Sequence, residues 1–273
     1  MHVMLTKKRM IVSLATVLAA LAAGSAASAD VLVQANFDGV STGQYTTGQT
    51  VDGLAVTGDS TSLLMDVVDL GSGNHAVKFT DNAASGLLGL TKSITGISTT
   101  GTGNNYITGG FDFVVFSGAS TSSQMNFSIG QSGTTPASTS TQQANLRLRA
   151  SGQVYYINSA GSQTSLATNL TLDRAYHVDI TVNLSSDTQD IWSFTITDLT
   201  TQTVFASLSD ISTRWQNGTP DRIFFDGNYG LSATSANPFI QMDNINFSVI
   251  PEPATMGLLA VGGVLALLRR RHT

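Results

Sequence analysis

From Tyr176 to Leu184 every second residue is apolar. Tyr176, Val178, Ile180, Val182 and Leu184 fall on one side of an extended chain, with His177, Asp179, Thr181 and Asn183 on the other. A polar turn over Ser185–Asp190 follows, then a second alternating run through Trp192, Phe194 and Ile196, and a third at Val204–Ala206. This is the pattern of an antiparallel meander. Shorter runs of the same period recur at Val31–Phe37, Ala76–Phe79, Tyr106–Phe116, Met125–Ile129, Leu146–Leu148, Val154–Ile157, Ile223–Phe225 and Ile245–Val249. Asp38-Gly39, Asp52-Gly53, Asn217-Gly218 and Asp226-Gly227 read as turns between strands. Thr134–Gln143, rich in Thr, Ser and Gln, reads as a surface loop. No segment between residues 30 and 249 has the period of an amphipathic helix, so the pattern predicts an all-β, antiparallel sandwich.

The two ends are patterned differently. Lys7-Lys8-Arg9, the apolar run Met10–Ala23 and the small residues Ala27-Ser28-Ala29 have the order of a cleaved signal peptide, residues 1–29. At the other end, Pro251 and Pro253 disfavour helix before them. The uncharged run Ala254–Leu268 can then form a helix of about 22 Å at ~1.5 Å per residue. That is short of the ~30 Å hydrocarbon core, and it would cross with local thinning and snorkelling arginines. Arg269, Arg270 and Arg271 orient such a helix with its end in the cytoplasm, and the preceding chain on the far side.

Pro251-Glu252-Pro253, the apolar helix and the arginine cluster together make residues 250–273 resemble the PEP-CTERM family of exported bacterial proteins. The resemblance implies a sorting tail recognised by an exosortase-type membrane protease or transpeptidase. It implies delivery across the inner membrane with transient anchoring, then release to the cell surface or extracellular matrix. In that reading Glu252 belongs to a recognition motif and is not catalytic.

Composition changes the picture of the domain, residues 30–249. It holds seventeen Asp, no Glu, two Lys and five Arg, a net charge of −10 with His neutral. A surface of that sign repels nucleic acid, which requires clustered cations. Cysteine is absent, which removes thiolate metal sites and a Cys nucleophile. About 220 residues suffice for a core without disulfides.

The opening Ala35-Asn36-Phe37-Asp38-Gly39, the hairpin Tyr176–Asp198 and the closing Phe239–Ser248 resemble the concanavalin A-like, or LamG-like, jelly roll. A galactose-binding-like jelly roll is the nearest alternative. The first resemblance implies that the first and last strands lie side by side. It also implies that a structural calcium ion can clamp them, with Asp38 and Asp243 as ligands and Asn244 or Asp226 as helpers. No other cofactor is expected.

Candidate chemistry is sparse. Glycoside hydrolysis needs two carboxyls across the scissile bond; laminarinase-like jelly rolls supply them as Glu, and this domain has none. His75 and His177 are the domain's only histidines, and no Gly-x-Ser-x-Gly elbow accompanies them. Trp192 alternates with Phe194 and belongs to the core, whereas Trp215 lies in a loop and is the candidate glycan contact, ahead of Tyr155, Tyr156 and Tyr229. The residues therefore predict an exported, non-enzymatic surface or matrix protein. A carbohydrate-binding module for exopolysaccharide is the second reading and a polysaccharide-active enzyme the third.

Overall fold

The computed structural model describes residues 29–58, 63–81, 87–95, 97, 105–131, 141–184, 189–216, 218–228 and 237–251. The signal segment through Ser28, the sorting residues Glu252 and Pro253, the apolar run and Arg269–Arg271 lie outside them. Among the described residues, no helix is long and apolar enough to cross a membrane. The strands belong to one compact unit, Asp30–Val249.

Those strands are, in chain order, β1 (Asp30–Ala35), β2 (Gly43–Tyr45), β3 (Thr50–Val51), β4 (Leu54–Gly58), β5 (Leu63–Gly71), β6 (Asn74–Asp81), β7 (Leu87–Ser93), β8 (Asn105–Val115) and β9 (Gln124–Gly130). They continue with β10 (Gln142–Arg149), β11 (Val154–Ile157), β12 (Gln163–Ser165), β13 (Ala175–Leu184), β14 (Ile191–Asp198), β15 (Thr203–Ser212), β16 (Arg222–Asn228) and β17 (Pro238–Pro251). A nine-stranded sheet runs β15-β14-β13-β8-β17-β6-β5-β2, with β1 also paired to β17, and an eight-stranded sheet runs β12-β11-β10-β9-β16-β7-β4-β3. The first and last strands do pair, Asp30 opposite Val249 through Ala35 opposite Ile245.

Alternation makes one face of each sheet apolar, and those two faces close on each other. Phe111 in the nine-stranded sheet lies 5.5 Å from Phe127 and 5.2 Å from Phe225 of the other sheet. Phe247 stacks on Phe127 at 5.2 Å. Trp192 is buried against Phe194, as the alternation predicts. The meander β13-β14-β15 is present, with His177 and Asp179 on the side away from the core.

The turn signals divide. Asp52-Gly53 joins β3 to β4, with φ of 45° and 77°, the two left-handed residues that a tight hairpin needs. Asp226-Gly227 is not a turn: it lies inside β16, paired on both sides. A dipeptide that suits turns also suits a strand when the tertiary partners ask for a small residue and a buried acid. Gln142 and Gln143, read as the end of a loop, are buried in β10. Asn217, Tyr229 and residues 134–140 lie outside the described residues.

Candidate functional site

Antiparallel pairing places non-core residues of neighbouring strands directly opposite one another. On the outer face of the eight-stranded sheet this produces one row across six strands. Thr57 lies opposite Gly89, Gly89 opposite Asp226, Asp226 opposite Asn126, Asn126 opposite Arg147, and Arg147 opposite Tyr155. Ser165 extends the row onto β12. The adjacent row holds Phe224 and Ser128, then Asn145.

The row is sheltered and polar. Asp226 and Asn126 are each 1% exposed. Gly89 provides the space for Asp226: a methyl group there would sit 2.6 Å from Asp226 Oδ1 and 2.5 Å from the Phe225 carbonyl. Burial alone pushes the Asp226 carboxyl well above the usual carboxylate range. Among the described residues, six buried side-chain atoms on this face have no hydrogen-bond partner: Gln124 Oε1, Asn126 Oδ1, Ser128 Oγ, Arg149 Nε, Arg222 Nε and Asp226 Oδ2. An orphaned buried polar atom costs about 1–3 kcal/mol, so such a concentration calls for a ligand or another physical account.

The arginines are held by neutral groups. Arg147 donates from Nε to Asn145 Oδ1 and from Nη1 to Gln163 Oε1, both at 3.1 Å. Arg149 Nη1 donates to the Tyr155 hydroxyl at 3.2 Å, and its guanidinium lies 4.5 Å from the Tyr155 ring centre. Arg222 lies over Phe224 at 5.5 Å.

The opposite outer face, on the nine-stranded sheet, is acidic. His177 Nδ1 meets Asp112 Oδ1 at 2.6 Å and His177 Nε2 meets Asp179 Oδ1 at 3.3 Å. Asn244 Nδ2 donates to Asp112 Oδ2 at 2.8 Å. The hydrogen bond with Asp112 raises the His177 pKa, against the effect of burial. Asp243 and Asn244 lie where the partner of β17 changes from β6 to β1, and Asn244 has φ of 51°. Burial, with the charges of Asp112 and Asp38, raises the Asp243 carboxyl to about 6, opposed by the hydrogen bond from Asn244 N.

Asp38 and Asp243 are thus brought into electrostatic range of each other, at the junction of the first and last strands. Their oxygens serve the protein: Asp38 accepts from Asn36 Nδ2 and His75 N, and Asp243 Oδ1 from Asn244 N. Among the described residues no three His, Cys, Asp or Glu side chains converge as metal ligands. Asp226, the proposed helper, belongs to the other sheet.

Trp215 is half-buried, its indole pressed against Gly218, and it lies in the connection after β15, outside the row. Tyr155 belongs to the row, whereas Tyr156 packs towards the core beside Phe194. The sequence reading missed Asn126, Arg147 and Arg149, and gave Asp226 a turn and a helper's place in the calcium clamp in place of this row. Arg-x-Arg on an alternating strand was the available signal, because residues two apart share a face.

Comparison with known proteins bears on both ends of this description. Residues 249–271 match the PEP-CTERM protein-sorting motif. No curated protein matches the chain. Among solved structures, the marine PL-14 alginate lyase from Aplysia kurodai is similar, with a TM-score of 0.54 at 12% identity, covering 81% of this chain and 98% of the lyase. A carbohydrate esterase from the Shiga toxin-encoding bacteriophage phi24B gives 0.51 at 15% identity, over 82% of this chain and all of that one. Lectin II from Ulex europaeus gives 0.50 at 13%, over 82% and 99%. At such identities the likeness speaks for the fold alone. The chain carries a concanavalin A-like antiparallel jelly roll followed by a PEP-CTERM sorting motif.

Proposed function

We propose that this protein is an exported surface or matrix component that binds carbohydrate across the outer face of its eight-stranded sheet. The observation that carries this reading is the sheltered row with its orphaned acceptors and donors. A sugar hydroxyl both donates and accepts, so a glycan laid along the row can hydrogen-bond the part-exposed Arg147, Arg149 and Tyr155, above the buried Asn126 and Asp226. Sheet neighbours that are lectins, a lyase and an esterase support carbohydrate as the ligand class. Binding rather than cleavage is the reading because the usual hydrolytic route uses two carboxyls. Asp226 is the sole carboxylate among the described residues of this face.

In this proposal the chain is divided into a leader (1–29), the sandwich (30–249) and a sorting tail (250–273). Its partners are an exosortase at Pro251-Glu252-Pro253 and an exopolysaccharide at the sheet. A glycan array with the full chain tests the site. Saturable binding should be lost in Asn126→Ala and kept in Asp179→Ala on the opposite face, with polymer length unchanged after incubation. Equal loss in both variants, or none in either, would refute the placement. Alanines at Pro251, Glu252 and Pro253 should change the mature C-terminus in the native host.

A further inference from the structure

We propose that the glycan taken by this face is a polyanion, a polysaccharide whose sugars carry oxyanion groups such as uronate carboxylates or sulfate esters. The inference rests on the preceding reading of the sheet as a carbohydrate site and names what that site selects.

The argument starts from the distribution of charge. The domain has seventeen Asp for seven Lys and Arg, so a structural arginine has acids available. Arg174 behaves that way, with Nη1 2.7 Å from Asp198 Oδ2. Arg147 and Arg149 do not: among the described residues their partners are Asn145, Gln163 and Tyr155, all neutral. They stand two residues apart on one strand face, roughly 7 Å between Cα atoms. Burial lowers the Arg147 pKa from its ordinary value, and the charge of Arg149 lowers it further. Two like charges are therefore kept together in a half-buried position, with no acid bonded to either among the described residues.

The acid that shares the face does not neutralise them. Asp226 is two strands from Arg147, roughly 10 Å away. Its burial favours the uncharged form. Arg222 also has an orphaned Nε, but by register it lies four residues along and two strands over from Arg147, roughly 16 Å away. The acidic cluster of Asp112, Asp179 and Asp243 lies on the outer face of the other sheet. Packed sheets are ~10 Å apart, and outer faces further. The Debye length is ~8 Å at physiological salt, so the far acids contribute little here. The local field is that of the arginines.

An oxyanion suits what these guanidiniums offer. Carboxylate and sulfate accept several N–H bonds at once, and the part-exposed guanidiniums of Arg147 and Arg149 have N–H donors beyond those given to Asn145, Gln163 and Tyr155. A neutral sugar would leave the repulsion between the two arginines in place. A bound anion removes it.

Isothermal titration of the full chain at physiological salt, with polygalacturonate, dextran sulfate and neutral dextran as probes, tests this. At least one of the two polyanions should bind, and neutral dextran should not. Which polyanion binds identifies the anionic group. The double substitution Arg147→Gln and Arg149→Gln, which keeps hydrogen-bonding capacity, should weaken polyanion binding at least tenfold. Arg174→Gln, which removes an equal kind of charge from a paired site, should change it less than twofold. Arg149→Lys, retaining charge but not the fork, should fall between the two. Circular dichroism of each variant checks that the sandwich is intact. If neutral glycans bind and only Asn126→Ala abolishes this, the carbohydrate site stands and the polyanion inference is overturned. If no glycan binds, both are overturned. Polyanion binding insensitive to Arg147 and Arg149 also overturns the inference.

Discussion

On the nine-stranded sheet Asp112, Asp179 and His177 form a hydrogen-bonded patch beside Asn244, Asp243 and Asp38. On the eight-stranded sheet the outer face carries Arg147, Arg149 and Arg222, with Asp226 as its acid. The first patch satisfies itself: nearly every oxygen named there accepts from a protein donor. The second leaves donors and acceptors orphaned. Strand alternation produced both faces by the same rule. What separates them is whether opposite groups found each other across the strands. The closed network holds structure, and the unpartnered one is where the proposal places the ligand.

The layer both faces share should give the largest effect. Phe111 touches Phe113, Phe127 and Phe225 between the sheets, and Phe111→Ala should cost about 3–5 kcal/mol in denaturant unfolding. It should weaken ligand binding and disturb the His177 patch together. If one face survives unchanged, the two are not supported by a common core.

Asp226→Asn comes next. The folded protein holds the Asp226 proton far more tightly than the unfolded chain, whose carboxyl titrates near ~3.9. Wild-type stability from this group is therefore present below about pH 4 and falls as pH rises above it. Asn does not titrate. The variant should melt a few degrees above wild type at pH 7 and level with it at pH 4. A lower melting temperature at pH 7 would mean that Asp226 is ionised and paired.

Asp243→Asn should show the same sign over a narrower window. Its folded pKa of about 6 means that the stability is lost between about pH 4 and pH 6. The advantage of this variant should stop growing near pH 6, whereas that of Asp226→Asn continues to climb. Matching profiles would erase the distinction between a closed and an open face. The smallest effect is local. Asp112→Asn should lower the His177 midpoint, followed by NMR titration, because the Asp112 hydrogen bond is the main cause of its rise. An unmoved midpoint would leave Asp179 as the controlling partner.

Much of this was legible in the chain. The inward set Tyr176, Val178, Ile180, Val182 and Leu184 is buried as the alternation predicts, because period two needs no knowledge of partners. Less regular strands escaped: β4 and β7 carry glycines and threonines that only cross-strand packing justifies. Asp226-Gly227 misled for the same reason. Its local preference is for a turn, and the pairing with Gly89 and Asn126 overrode it.

The motif at residues 249–271 and the all-β character follow from linear order, since an address is read along the chain and alternation is a local property. The row from Thr57 to Ser165 does not. Its members come from seven strands spread over 170 residues of sequence, and register alone aligns them. Whether an arginine meets an aspartate or only neutral groups depends on which strands become neighbours. That is a property of the folded sheet, and it placed Arg174 beside Asp198 and left Arg147 and Arg149 among neutral groups.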